Sequence, residues 1–345
     1  MSRIGATPLW RSPGSRPGAN SLPAVSAGAS DIKLFITGAS SFIGRELVAH
    51  CDRAGVEIVG VDLQSSDRRD CIVADVRDRN IASCIPENVD AVVHLAALSR
   101  DSDCRDRGYR CFDVNVMSTL NLVDAAVERH ARQFIFASSE WVYEGFEDGE
   151  WKTEASLIDV SRHTSEYALS KLVSEANLRQ KYQHGFCPVS VLRFGIVYGP
   201  RAENWSAVES LLNSVATMDE VVVDSKATGR CFIHVSDIAD AVLASVGTPG
   251  FEIFNIEGER LVTLGDVIEA GKRITGREPR IIERAPEKGN VRLVSGKKAK
   301  SVLGWGPEIG LEQGARSVLE HFGVAGSAEN GRGEQLRSGE SGNRQ

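Results

Sequence analysis

Apolar residues along the chain fall into two alternating kinds of run. Short, nearly continuous ones occupy 32–37, 57–62, 72–75, 91–95, 134–138 and 189–194. Longer stretches with apolar positions three and four apart cover 42–54, 114–129 and 164–182. The first kind marks strands buried on both faces, the second amphipathic helices. Within 114–129 the spacing sets Leu120, Val123 and Val127 on one helix face. Strands alternating with helices predict βαβ units, hence an α/β chain with a Rossmann-type, doubly wound, mostly parallel sheet. Beyond Gly199 the alternation is less regular, and strand-like segments at 221–223, 231–235 and 253–256 stand among helices. That region reads as a smaller C-terminal α/β lobe.

The two ends break the pattern. Residues 1–30 are rich in Ser, Gly, Pro and Ala, carry Arg3, Arg11 and Arg16 without an acid, and lack the apolar centre of a secretory signal. They read as a disordered leader or the product of an upstream start codon, and their composition also fits a transit peptide. Residues 324–345 are polar and read as a disordered tail. The folded unit then divides into a cofactor-binding domain over 31–200 and a mainly substrate-binding lobe over 201–323. Segments within 230–256 are able to return to the first domain.

Composition narrows the function. With 40 basic and 47 acidic residues the chain carries a formal charge of −7, which argues against a nucleic-acid partner. No apolar run approaches a membrane span. The seven cysteines form no C-x-x-C pair and fit neither a zinc site nor a disulfide framework. They read as reduced thiols of a cytoplasmic protein, and no metal is expected.

Candidate chemistry begins at the first strand-to-helix turn. Gly38, Ala39, Ser40, Ser41, Phe42, Ile43 and Gly44 stand where a dinucleotide pyrophosphate meets backbone N–H groups and a helix N-terminus. Gly38 permits the tight turn and Gly44 the close approach of helix to strand. Asp62, at the end of the second strand run, is placed to take the adenosine ribose hydroxyls. Its charge favours NAD over NADP, although Arg68 and Arg69 follow closely. A second constellation is Tyr167 and Lys171, four apart and so on one helix face. An ammonium beside a phenol lowers its pKa and readies it for proton transfer with a carbinol while hydride moves to nicotinamide. Ser139 closes the strand run at 134–138, at the C-terminal edge where such sheets bind ligands, and is placed to orient the substrate oxygen.

Together these residues resemble the extended short-chain dehydrogenase/reductase family, the NAD-dependent epimerase/dehydratases that act mainly on nucleotide sugars. The resemblance runs from about Lys33 to Phe322. It includes Asp75-Val76 as an adenine contact and His94-Leu95-Ala96-Ala97 along the cofactor. Further matches are Asn115-Val116 in the central helix, Val142-Tyr143 after the serine, and Leu192-Arg193 with Val197-Tyr198-Gly199-Pro200. Arg230 with Phe232-Ile233-His234 and Leu303-Gly304-Trp305 complete it. The resemblance implies Ser139, Tyr167 and Lys171 as catalytic residues, NAD as cofactor, a homodimer, and Ser99, Ser139, Glu140 and Arg230 at the substrate.

Departures from the family pattern bear on the reaction. Ser41 stands in place of a third glycine. The family's dehydratases carry an Asp-Glu pair after the catalytic hydroxyl, whereas this chain has Glu140 and Trp141. An indole cannot abstract a proton, so the dehydration base is missing. Ile196 replaces a common Asn, and Glu287 stands near a common Arg, with Arg292 close by to compensate. The substrate is then a nucleotide sugar held by an unusual anchor, or a sugar-like compound without the nucleotide. The best reading is a nucleotide-sugar 4-epimerase acting by transient C4 oxidation. The alternatives are a reductase or dehydrogenase of a keto-deoxy or free sugar and, in another class, a non-catalytic dinucleotide-binding regulator.

Overall fold

The computed structural model describes residues 32–147 and 149–324. The leader and the C-terminal tail fall outside them, apart from residue 324. Seven strands make one sheet: β1 (Lys33–Thr37), β2 (Glu57–Asp62), β3 (Cys71–Val73), β4 (Ala91–His94), β5 (Phe134–Ser139), β6 (Val189–Phe194) and β7 (Phe251–Ile256). Their order is β3-β2-β1-β4-β5-β6-β7, and every pairing is parallel. The order reverses between β1 and β4, which opens a crevice at the C-terminal ends of these two strands.

Side chains alternate across the sheet. Leu34 and Ile36 join one core with Leu47, Ile238 and Val242, while Phe35 joins the other with Leu122, Val123 and Leu178. The first face is covered by helices α1 (Phe42–Ala54) and α4 (Val235–Ala244), the second by α2 (Ser118–Glu128) and α3 (Glu166–Gln183). Burial on both faces explains the continuous apolar runs; all six residues of β5 and of β6 are buried. Helix α1 starts at Ser41, whose hydroxyl accepts the Gly44 N–H at 3.1 Å, and stops at Gly55 in the left-handed region.

The 253–256 segment, one of those able to return to the first domain, lies in its sheet as part of β7, the edge strand, in register with β6. Two expectations are corrected. Within 231–235 only Ile233–His234 is strand, paired with Val197–Tyr198, and Val235 already opens α4. On α2 the buried face is Leu122, Val123, Ala125 and Ala126, whereas Val127 is exposed.

A smaller body follows. Helices at Ala207–Thr217, Leu264–Thr275 and Leu311–His321 enclose an apolar cluster that includes Val208, Leu212, Val267 and Val318. The parallel pair Glu220–Val223 and Arg280–Glu283 adjoins it. Among the described residues no helix is long and apolar enough to cross a membrane. All seven cysteines are free thiols.

Candidate active site

At the β1–α1 turn Gly38 sits at φ 73°, and a Cβ there would come within 2.9 Å of the Ala96 nitrogen. A Cβ on Gly44 would strike the Gly38 carbonyl. Only glycine fits at both positions, and the turn lies at the crevice where β1 and β4 part. Ser41 caps α1 through its hydroxyl, so it spends its polar atom on the helix while leaving the Phe42 and Ile43 amides at the helix opening. Ser40 N–H donates to the Asp62 carboxylate at 2.9 Å, which fixes Asp62 beside the loop. Arg68 is turned away: it forms bidentate pairs with Asp52 and Asp70. This residue committed to two carboxylates is not left to receive a 2′-phosphate.

The crevice continues past β4. Leu95, Ala96 and Ala97 form the loop after it, and Ala96 N–H donates to the Thr37 hydroxyl at 3.2 Å. His94 is wholly packed between Thr37 and Thr119, and burial pushes its pKa down to about 3. Asp75 is held by Arg77, which also reaches Asp113, and Val76 is buried with its carbonyl accepting from Asn121. Asp62 closes β2, Asp75 follows β3 and the 95–97 loop follows β4, so all three stand at the C-terminal edge of the sheet. Ser99 lies exposed in the loop beyond Leu98.

Tyr167, Lys171 and Glu175 form one buried face of α3, four residues apart, turned to the ends of β5 and β6. The Ser139 hydroxyl faces the Tyr167 phenol and accepts the Trp141 N–H at 3.3 Å. Burial dominates at Tyr167 and raises its pKa to about 12, against the pull of Ser139. The expected lowering of that pKa by Lys171 is not seen. The ammonium instead donates to the Ala137 carbonyl at 2.8 Å and lies 4.9 Å from the Phe136 ring centre. Burial lowers Lys171 itself to about 8.

Other side chains complete the pocket. Asn115, in the π-helical turn at Asp113–Met117, accepts from Leu98 N–H at 2.8 Å and donates to Ser170 at 2.9 Å, tying the post-β4 loop to α3. Cys104 and Cys111 pack against Tyr167, and Trp141 meets it edge-on at 6.5 Å. Trp141 is thus a wall of the Tyr167 pocket. On the lobe side Arg230 donates to the Gly229 and Asn290 carbonyls, and Arg292 lies over the Trp141 ring. Both guanidiniums act on Glu140, which burial nevertheless pushes up to about 7. Glu257, unmarked in the sequence reading, is buried with both carboxylate oxygens unpartnered among the described residues. The structure therefore sets Ser139 beside Tyr167, keeps Lys171 on the same buried helix face with its ammonium on the Ala137 carbonyl, and leaves Ser99 exposed.

This arrangement defines an enzyme class: a dinucleotide crevice ending at a Ser–Tyr–Lys cluster can carry alcohol–ketone redox chemistry. The NAD dependent epimerase/dehydratase family matches residues 34–256, and the chain belongs to that family. It is 25% identical over 313 residues to a UDP-glucuronate 4-epimerase of Thermodesulfobacterium geofontis, covering 82% of this chain and 94% of that one. It is 27% identical over 304 residues to a GDP-6-deoxy-D-mannose reductase of Pseudomonas aeruginosa, at 84% and 97% coverage. The solved structure of MoeE5 in complex with UDP-glucose and NAD superimposes with a TM-score of 0.74 at 28% identity, covering 84% of this chain and 98% of that one.

Proposed function

We propose that the protein is a nucleotide-sugar 4-epimerase working through NAD held across the turnover. The observation that carries this reading is the convergence of Ser139, Tyr167 and Lys171 at the end of the dinucleotide crevice, with Trp141 where a dehydratase carries its base. The cofactor is the hydride acceptor and donor. Gly38, Ser40, Ser41, Phe42, Ile43 and Gly44 receive its pyrophosphate, Asp62 its adenosine ribose, and Lys171 its nicotinamide ribose. Tyr167 exchanges the proton of the C4 hydroxyl, a role that requires the positive charge of bound NAD to bring its phenol down from about 12. Ser139 holds the same oxygen in line. Arg230 and Arg292 receive the diphosphate, a role suited to planar bidentate donors. The reading includes a homodimer built on α2 and α3 and a cytoplasmic location.

A second reading, a reductase with exchangeable cofactor, draws support from Ile196. Its side chain packs into the lobe's apolar cluster, so it offers a diphosphate no hydrogen bond. Native mass spectrometry of the purified protein, followed by a nucleotide-sugar panel, separates the two. Retained NAD with isomerised product supports the epimerase. An empty protein that consumes NADH stoichiometrically on a keto sugar overturns it.

A further inference from the structure

Three strands end side by side on the rim of the sheet. Ser139 of β5 pairs with Phe194 of β6, and Phe194 with Ile256 of β7. The residues that follow these strand ends make one row: Glu140, which opens a short 3-10 turn, Gly195 and Glu257. Neighbouring strands lie about 4.8 Å apart, so the two glutamates are rooted roughly 10 Å apart with only a glycine between them. Glu257 uses the gap, since a Cβ on Gly195 would fall inside its carboxylate. Both glutamates are 1% exposed. Oε1 of Glu140 and both carboxylate oxygens of Glu257 are buried without a hydrogen-bond partner among the described residues.

Two neighbouring buried carboxylates cannot both ionise at low cost, and the favoured state holds one proton on the pair. Burial and then the Glu140 charge push Glu257 well above the carboxylate range. The other groups facing the row are the guanidiniums of Arg230 and Arg292 on Glu140, and the Cys231 thiol and Glu154 carboxylate on Glu257. Glu154 is itself held by the Asn255 N–H at 2.8 Å.

We propose that Glu140 and Glu257 share a single proton over Gly195, and that this pair sets the charge of the subsite walled by Arg230 and Arg292. With one proton the row is a monoanion, and the two guanidiniums leave one net positive charge for the substrate's phosphate portion. With none it is a dianion that cancels both arginines. The pair is thus a specificity-determining device that couples anion binding to protonation. The choice of ligand rests on the nucleotide-sugar reading above; the shared proton does not.

Infrared difference spectroscopy near neutral pH tests the proton directly. The wild type is expected to show the C=O band of a protonated carboxyl that disappears in both Glu140→Gln and Glu257→Gln, because the new amide donates to the remaining carboxylate. Gly195→Ala, which crowds Glu257 without removing either carboxyl, is expected to lose it too. No such band, or a band that persists in both Gln variants, overturns the shared proton. Calorimetric binding of UDP-glucose tests the coupling. Affinity is expected to fall about tenfold between about pH 6 and pH 9 in the wild type, and to stay flat in Glu257→Gln. A flat wild-type profile overturns the coupling to the arginines. If the band behaves as expected and UDP-glucose does not bind at all, the nucleotide-sugar reading fails while the proton-sharing pair stands.

Discussion

Replacing Glu175 by Ala should cost the fold more than almost any other single change on α3. Glu175 is 4% exposed and takes two hydrogen bonds from Arg193, at 3.0 and 2.6 Å, and one from the Ser138 hydroxyl at 2.5 Å. Arg193 is 3% exposed and, among the described residues, keeps only the Tyr143 hydroxyl as a further side-chain hydrogen-bond partner. Removing the carboxylate strands a guanidinium between β6 and α3. Leaving one member of a buried ion pair unmatched costs about 3–5 kcal/mol. The orphaned Ser138 hydroxyl accounts for ~1 kcal/mol of that. Against a stability on the order of 5–15 kcal/mol, the loss is large. A urea titration followed by tryptophan fluorescence reads it as a lower midpoint with unchanged slope. Glu175→Leu with Arg193→Met removes both charges and should recover to within about 1 kcal/mol of wild type. A single-variant loss below about 1 kcal/mol, or a double variant as unstable as the single, would show that Arg193 does not depend on Glu175. Because Lys171 lies one turn before Glu175, the single variant should also bind NAD more weakly.

Lys171→Met should raise stability at neutral pH while destroying turnover. Burial holds the Lys171 pKa at about 8 against an ordinary 10.5, so the folded state binds its proton less well than the unfolded chain. That penalty is fully present below about pH 8 and fades as pH rises toward 10.5; it amounts to about 3 kcal/mol, and thermal melts across that range check it. Asp62→Ser should shift cofactor preference toward NADP by about tenfold, or 1.4 kcal/mol, in paired binding titrations. An unchanged ratio would show that the carboxylate does not face the ribose. Gly44→Ala should abolish NAD binding and lower the melting temperature, because its Cβ has nowhere to go but the Gly38 carbonyl; normal NAD affinity in that variant would contradict the loop geometry.

Much of the fold was legible because burial on both faces leaves an unbroken apolar run. The 42–54, 57–62 and 189–194 segments match α1, β2 and β6 at both ends, and Gly55 marks the first stop explicitly. The segment at 251–256 was harder. As an edge strand its first half is only partly buried, and nothing local tells that its partner is β6 rather than a lobe strand. On α2 nothing in the sequence sets Val127 apart from Val123, so the spacing could not show that Val127 faces solvent. At the site, the spacing of Tyr167 and Lys171 was enough to predict a shared face. It could not show where the ammonium points, since the competing acceptor, the Ala137 carbonyl, is a backbone atom. Glu257 carried no signal either. Its significance comes from the register that lines it up with Gly195 and Glu140, and register is a property of the assembled sheet.

In the proposed reaction hydride leaves C4 and returns to it within one protein molecule. The most direct measurement uses UDP-glucose and UDP-glucuronate deuterated at C4, with product analysed by mass spectrometry and NADH followed in the same sample. The account predicts epimerised product that retains its deuterium at C4, with no NADH accumulating. Deuterium lost to solvent, or NADH formed in proportion to product, would contradict it.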